Sequence, residues 1–94
     1  MLYALICEDR ADGLDLRLAT REKHLAYVGT LGDSIRLAGP MLSEDGERMV
    51  GSLFLIEADS AEDVAALNAA DPYTRAGLFE RVTIRAFRQV VPAA

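Results

Sequence analysis

Two stretches of the chain are apolar at nearly every position, and they constrain the fold more than any other feature. Residues 2–7 and 49–58 are both predicted to be strands, and in each of them both faces of the strand carry apolar side chains. Two further segments, 34–42 and 79–91, alternate apolar with polar residues, as strands do when one face meets water. The sequence therefore predicts a sheet with two central strands and two edge strands.

Two helical segments separate these strands. The first is expected to begin near Thr20, a suitable N-cap, and to end near Gly32, after a polar loop over residues 8–16. The second follows Ser60, whose spacing to Asp63 is close to that of a capping box. Both helices are expected to bury an apolar face. In the first, Leu25, Val28 and Leu31 recur at helical spacing, and in the second, Val64, Ala65 and Leu67 continue the helical pattern.

The dipeptide Asp71-Pro72 is expected to end the second helix near Ala70. Proline fixes its own φ and pushes the residue before it toward extended backbone, so the helix cannot continue through this pair. The backbone therefore sets the direction of the Asp71 carboxylate.

The order of elements is β-α-β-β-α-β, which is the ferredoxin-like arrangement of the α+β class with a four-stranded antiparallel sheet. Right-handed crossovers place both helices on one face of that sheet. Because the central strands are apolar on both faces, the other face would expose an apolar patch unless it is covered. We expect that patch to contain Tyr3, Leu5, Cys7, Leu53 and Leu55, or their counterparts. The simplest cover is a second copy around a two-fold axis, which predicts a homodimer through the open sheet face.

Composition narrows the class of protein. One domain over residues 1–94 is expected, with 51% hydrophobic and 27% charged residues, as in globular proteins. The net charge of −5 argues against binding of nucleic acid. The chain contains no run of eighteen apolar residues, so no membrane span is predicted. The N-terminus lacks the basic segment of a signal peptide, and Cys7 has no second cysteine to pair with. We therefore expect a cytoplasmic protein in which Cys7 packs as a small hydrophobe.

His24 is the chain's sole histidine, and histidine can accept and donate a proton near neutral pH. It lies one turn before Val28, so its ring is expected near the apolar face of the first helix. One interpretation is a half-buried histidine bonded to a backbone carbonyl, and the other is an acid–base dyad with a carboxylate. The carboxylates to weigh are Asp71, Asp33, Glu22 and Asp9. Asp71 is the best placed, because the helix that it ends should lie beside the first helix.

Three more side chains are candidates for binding a substrate. Arg17 and Arg21 lead up to His24 and either hold an anion through bidentate contacts or are ordinary surface charges. Tyr73 either donates a hydrogen bond through its hydroxyl or packs over the core. The sequence does not predict a metal site, because it has one histidine, one cysteine and only scattered carboxylates. It contains no phosphate-binding glycine loop, so no cofactor is predicted.

Several motifs, in their order and spacing, resemble one family. They are Met1-Leu2-Tyr3-Ala4-Leu5, Arg17 and Arg21 before His24-Leu25, Arg36-Leu37-Ala38-Gly39-Pro40, Ala70-Asp71-Pro72-Tyr73, Ala76-Gly77-Leu78-Phe79 and Ile84-Arg85-Ala86-Phe87. Over nearly its whole length the chain resembles the YCII-related (YciI-like) family. The resemblance implies a dimeric α+β barrel and a His–Asp centre, carried here by His24 and Asp71. It also implies kinship with enzymes of aromatic-compound breakdown that eliminate chloride, on a fold shared with lactone isomerases.

The leading hypothesis is a cofactor-independent enzyme that uses general acid/base chemistry for elimination or isomerisation of a small, anionic organic substrate. The alternatives are a non-catalytic ligand-binding or regulatory module, and a purely structural dimerisation domain. The loop over residues 43–48 is short. Because this connection varies among proteins of the family that the chain resembles, the resemblance leaves one wall of any pocket undetermined.

Overall fold

The computed structural model describes residues 1–93. Its elements are β1 (Leu2–Asp9), α1 (Leu14–Gly29), β2 (Ile35–Leu42), β3 (Met49–Glu57), α2 (Ala61–Ala70), α3 (Pro72–Arg75) and β4 (Phe79–Phe87). The strands form an antiparallel sheet in the order β2-β3-β1-β4. The prediction of a ferredoxin-like α+β fold with β1 and β3 at the centre is therefore confirmed. The short helix α3 is an addition to the predicted order.

The edge strand β2 runs through Gly39-Pro40 without ending there. Pro40 lies opposite Ser52 of β3, and its missing N–H is tolerated because one side of an edge strand has no partner. The opposite edge, β4, ends at Phe87, earlier than the predicted limit of residue 91.

Helix α1 begins at Leu14, well before the predicted start near Thr20. Its buried residues are Arg17 and His24, whereas Leu25, which was expected on the apolar face, is 48% exposed. Apolar periodicity does not indicate a helix whose buried face is polar, and the sequence pattern therefore predicts a loop over the first turns of α1. The helix also ends at Gly29, before the predicted stop at Gly32.

Tyr3, Leu5 and Cys7 point toward the helices, so the open face carries their counterparts on β1, Ala4 and Ile6. The register pairs Tyr3 with Ile56 and Leu5 with Phe54, and residues directly opposite each other share a face of the sheet. The three inward-pointing residues of β1 and these two partners on β3 all belong to the buried core. Alternation along a strand defines two sets of residues, but only packing decides which set the helices cover.

Leu53 and Leu55 do point away from the helices, beside Ile6 and Ala4 of β1. The edge strands extend this open face with Leu37, which is 50% exposed, and Phe87, which is 43% exposed. The sheet is thus apolar on both sides at its centre. Within residues 1–93 no helix is long and apolar enough to cross a membrane.

Cys7 lies at the centre of the core with 0% of its surface exposed, in agreement with its predicted role as a small hydrophobe. Its thiol donates to Asn68 Oδ1 at 3.6 Å. Burial, assisted by the nearby negative charge of Asp71, raises the pKa of the Cys7 thiol to about 12.

Gly51→Ala is expected to destabilise the fold by about 2 kcal/mol, because the added atom overpacks the sheet. A Cβ at Gly51 would lie 2.5 Å from the backbone oxygen of Cys7 and 2.5 Å from Cε of Met41. Gly39→Ala is the matched control on the neighbouring strand, since a Cβ there meets nothing within 4 Å. Urea unfolding measures both variants, and equal stability of the two would contradict the packing described here.

The free energy of unfolding is expected to fall between pH 8 and pH 11 partly through Cys7. In the unfolded chain the thiol ionises at its ordinary pKa of 9.0, whereas in the folded protein it stays protonated up to about 12. The raised pKa therefore stabilises the fold below pH 9, and that contribution is lost as the pH rises toward 12. Over this interval wild type should lose about 2 kcal/mol more than Cys7→Ala in urea titrations. Parallel losses in the two proteins would show that the thiol is not shielded.

Candidate active site

The His24 ring meets the Asp71 carboxylate in the interior. Nδ1 of His24 lies 2.8 Å from Oδ1 and 3.0 Å from Oδ2 of Asp71, and the two residues are 8% and 3% exposed. Of the carboxylates weighed from the sequence, Asp71 is thus the one in contact with His24. A histidine bonded to a backbone carbonyl, the other interpretation, is not what the structure contains.

Asp71 is held by the backbone on both of its sides. Its φ of −64° and ψ of 129° are extended, so it ends α2, and Pro72 then begins α3. Its Oδ1 also accepts a hydrogen bond from the backbone N–H of Tyr73 at 2.9 Å. The carboxylate therefore caps one helix while it faces His24, and its direction does not depend on side-chain rotation alone.

The contact with Asp71 assigns the ring proton of neutral His24 to Nδ1, because a carboxylate accepts hydrogen bonds. Nε2 makes no hydrogen bond to any described residue. Every buried polar side-chain atom of the described chain has a hydrogen-bond partner, so Nε2 is an accessible atom. Nε2 is consequently the nitrogen open to the cavity that His24 lines. A proton can be exchanged with a ligand at this atom.

Tyr73 stacks on the His24 ring, with 3.9 Å between the ring centroids and an angle of 16° between the planes. The Arg17 guanidinium carbon lies 4.6 Å from the centroid of the same tyrosine ring. Burial raises the pKa of the Tyr73 phenol, and the positive charges of Arg17 and Arg21 oppose that rise without reversing it. The phenol is therefore protonated at neutral pH and can donate a hydrogen bond.

Arg17 is buried and paired, so its interpretation as a surface charge is wrong. Its Nε donates to Asp9 Oδ2 at 2.7 Å, and its Nη2 donates to Asp9 Oδ1 at 3.0 Å and to Ser52 Oγ at 2.8 Å. Burial works against the charge, but Asp9 outweighs it, and the pKa of Arg17 is raised. The free bidentate fork expected from the sequence is occupied by Asp9, and Nη1 is the nitrogen that remains.

Arg21 lies one turn further along α1 and is exposed. It forms no ion pair with the residues that the structure describes. Its guanidinium lies at the border of the cavity, where its charge reaches the Tyr73 phenol.

These side chains surround a cavity of about 150 Å³ between α1 and the strands β2 and β3. Its polar wall consists of Arg17, Arg21, His24, Ser52 and Tyr73. Its apolar wall includes Leu25, Val28, Pro40, Met49 and Phe54. The structure therefore brings all the sequence-predicted site residues except Asp71, which lies behind His24, to the surface of a single cavity.

Sequence reasoning overlooked two residues of this site, Asp9 and Ser52. The sequence suggests Asp9 only as a partner for His24, and it places Ser52 within an apolar strand. A signal was present for Ser52, a polar residue on a strand predicted to be buried, but not for Asp9, which falls in the predicted loop over residues 8–16. Within residues 1–93 no group of three or more histidine, cysteine or carboxylate side chains is placed to hold a metal ion.

Comparison with known proteins places the chain in a family. The model of the YCII-related domain matches residues 1–88. The protein YciI of Escherichia coli O6:H1 is 39% identical over 97 residues, covering 96% of this chain and 99% of the relative. An uncharacterised protein of Haemophilus influenzae is 32% identical with the same coverage.

A solved structure similar to this one is 5-chloro-2-hydroxyhydroquinone dehydrochlorinase (TftG) from Burkholderia phenoliruptrix AC1100, in complex with 2,5-dihydroxybenzoquinone. It is 33% identical, with a TM-score of 0.86 over 94% of each chain. Sequence and structure agree with the resemblance seen in the motifs, and the chain belongs to the YCII-related family.

Proposed function

We propose that this protein is a small enzyme that transfers protons to and from a single-ring organic substrate, with His24 as general base and acid. The observation that carries the proposal is the buried contact of 2.8 Å between His24 Nδ1 and Asp71, which leaves Nε2 open to a cavity. A carboxylate on one ring nitrogen fixes the tautomer and stabilises the imidazolium that forms when the other nitrogen takes a proton. The pair needs no cofactor for this step.

The size of the cavity and the similar structure support the substrate class. A cavity of about 150 Å³ is the size that encloses one benzene molecule in an engineered protein core. The dehydrochlorinase that is 33% identical to this chain binds a dihydroxybenzoquinone. We therefore propose a hydroxylated or quinonoid ring as the substrate, with one face of the ring on the apolar wall.

This geometry supports both an elimination and an isomerisation. In an elimination, Nε2 of His24 takes a proton from a carbon beside a ring carbonyl, and the electrons of that bond move onto the carbonyl oxygen as an enolate. The enolate then re-forms the carbonyl, a new carbon–carbon double bond forms, and the leaving group departs with its bonding pair. In an isomerisation, the imidazolium returns the proton to another carbon. In either case negative charge develops on a ring oxygen, where Arg17 and Tyr73 donate hydrogen bonds and Arg21 supplies an unpaired positive charge.

We also propose that the functional unit is a homodimer of single-domain protomers, paired through the open face of the sheet and acting in the cytoplasm. Leu53, Leu55, Ile6 and Ala4 form the centre of that face. Covering an apolar patch of several hundred Å² stabilises the pair by several kcal/mol at roughly 25 cal/mol per Å². The one thiol, on buried Cys7, suits a reducing compartment.

His24→Asn is expected to lower turnover at least 100-fold while the fold remains intact, because general acid–base catalysis typically contributes on the order of 10²–10⁴ in rate. Asp71→Asn should also lower turnover, although it keeps an acceptor for the Tyr73 N–H. Chloride release from 5-chloro-2-hydroxyhydroquinone, followed with a chloride electrode, is the first assay, and a panel of related chlorinated and unsaturated rings extends it.

Lys23→Ala is the matched control, since Lys23 is the exposed neighbour of His24 on the same helix. Turnover that survives in His24→Asn would refute the proposed chemistry. Tight binding of ring compounds with no turnover of any of them would instead support the non-catalytic binding module.

Leu55→Lys is expected to convert the dimer into a monomer, because it places a charge at the centre of the open face. Leu18→Lys is its control, since Leu18 is equally apolar but 53% exposed on α1, on the other side of the sheet. Sedimentation velocity at micromolar concentration measures the mass. A wild-type mass of one chain would overturn the proposed dimer.

A further inference from the structure

We propose that Asp9 and Ser52 make the site selective for a single ligand oxygen, such as a phenolic, enolic or ketonic oxygen, over a carboxylate. They do so by occupying both planar edges of the Arg17 guanidinium. This inference rests on the proposed function, and it assigns roles to two residues that are outside the His–Asp pair.

The hydrogen bonds of Arg17 define which of its donors a ligand can use. A guanidinium carries five N–H donors, one on Nε and two on each Nη. The Nε donor and one Nη2 donor bind Asp9 at 2.7 and 3.0 Å, and the other Nη2 donor binds Ser52 Oγ at 2.8 Å. A carboxylate is normally gripped by two parallel donors, either Nε with Nη2 or Nη1 with Nη2. Both arrangements require Nη2, so both are blocked.

Nη1 is the donor left for a ligand. It makes no hydrogen bond of ordinary geometry within residues 1–93, although the Tyr73 phenol lies near enough to help raise the pKa of Arg17. No buried polar side-chain atom in that part of the chain lacks a partner, so Nη1 reaches accessible space. Arg17 itself lines the cavity. Because the remaining N–H donors are all on the single atom Nη1, they suit one ligand oxygen better than the two oxygens of a carboxylate.

Asp9 is not readily displaced by a ligand. The side chains of Arg17 and Asp9 are 3% and 4% exposed, so water does not screen their attraction. Removal of one member of a buried ion pair leaves an uncompensated charge and is strongly unfavourable. A second carboxylate at Arg17 would also meet the negative charge of Asp9. The pair therefore presents a donor of hydrogen bonds with little net charge.

Ser52 adds a second donor beside Nη1. Its Oγ accepts from Arg17, which leaves the hydroxyl hydrogen free to point into the cavity that Ser52 lines. With the protonated phenol of Tyr73, the polar wall offers three kinds of hydrogen-bond donor near one another. Such donors stabilise a ring oxygen on which negative charge develops as the His24 base removes a proton.

Ser52→Ala tests this assignment without disturbing the buried ion pair. The substitution frees one Nη2 donor, so Nη1 and Nη2 together can grip a carboxylate. Hydroquinone and 4-hydroxybenzoate are the probes, because they share a ring and differ by one hydroxyl replaced with a carboxylate. Calorimetric titration should show that wild type prefers hydroquinone, and that Ser52→Ala shifts the ratio of the two affinities about tenfold toward 4-hydroxybenzoate.

Asp9→Asn should shift the ratio in the same direction by freeing the other edge of Arg17. Ser34→Ala, a serine outside the cavity, should leave it unchanged. The inference is overturned if wild type binds 4-hydroxybenzoate at least as tightly as hydroquinone, or if Ser52→Ala leaves the ratio as it was. If His24→Asn loses chloride release while Ser52→Ala leaves the ratio of the two affinities unchanged, the proposed function stands and only this inference is rejected. Failure of both probes to bind folded wild type would reject this inference, while the chloride-release assay would still decide the proposed function.

Discussion

The structure depends on burying two polar side chains of one helix, Arg17 and His24, against the sheet. A cation or an imidazole that leaves water is unstable unless a partner replaces the lost hydrogen bonds. Each of the two has a carboxylate for that purpose, Asp9 for Arg17 and Asp71 for His24. These two contacts connect α1 to the end of β1 and to the break between α2 and α3.

The two carboxylates come from distant parts of the chain, and each is held by its own local geometry. Asp9 ends the central strand β1, and Asp71 occupies the extended residue between α2 and α3. Arg17 and His24 are seven residues apart, which is close to two turns, so they lie on the same face of α1. A strand end, a helix break and a helix face thus meet at one place.

This meeting place produces a site with divided roles. In the proposed function the His24 pair handles a proton, while in the further inference the Arg17 pair and Ser52 present neutralised donors to a ligand oxygen. Tyr73 contacts both halves, because its ring lies against the imidazole and near the guanidinium. One side of the cavity is lined by Ala38, Gly39 and Pro40 of β2, the edge strand. These residues are small and carry no polar side-chain atoms, which suits contact with a flat ring.

The sequence by itself determined the order of the elements, the central and edge strands, and the helix stop at Asp71-Pro72. These follow from local rules, namely alternation, capping and the geometry of proline, which act within a few residues. It also indicated His24 with Asp71, because the topology places the two helices side by side. The sequence could not show that α1 begins at Leu14, or that Tyr3 and Leu5 face the helices. Nor could it show that Arg17 binds Asp9 and Ser52. The tertiary structure decided those outcomes. A polar residue can be buried when a hydrogen-bond partner on another element contacts it, and the sequence around that residue carries no periodic signal of such a partner.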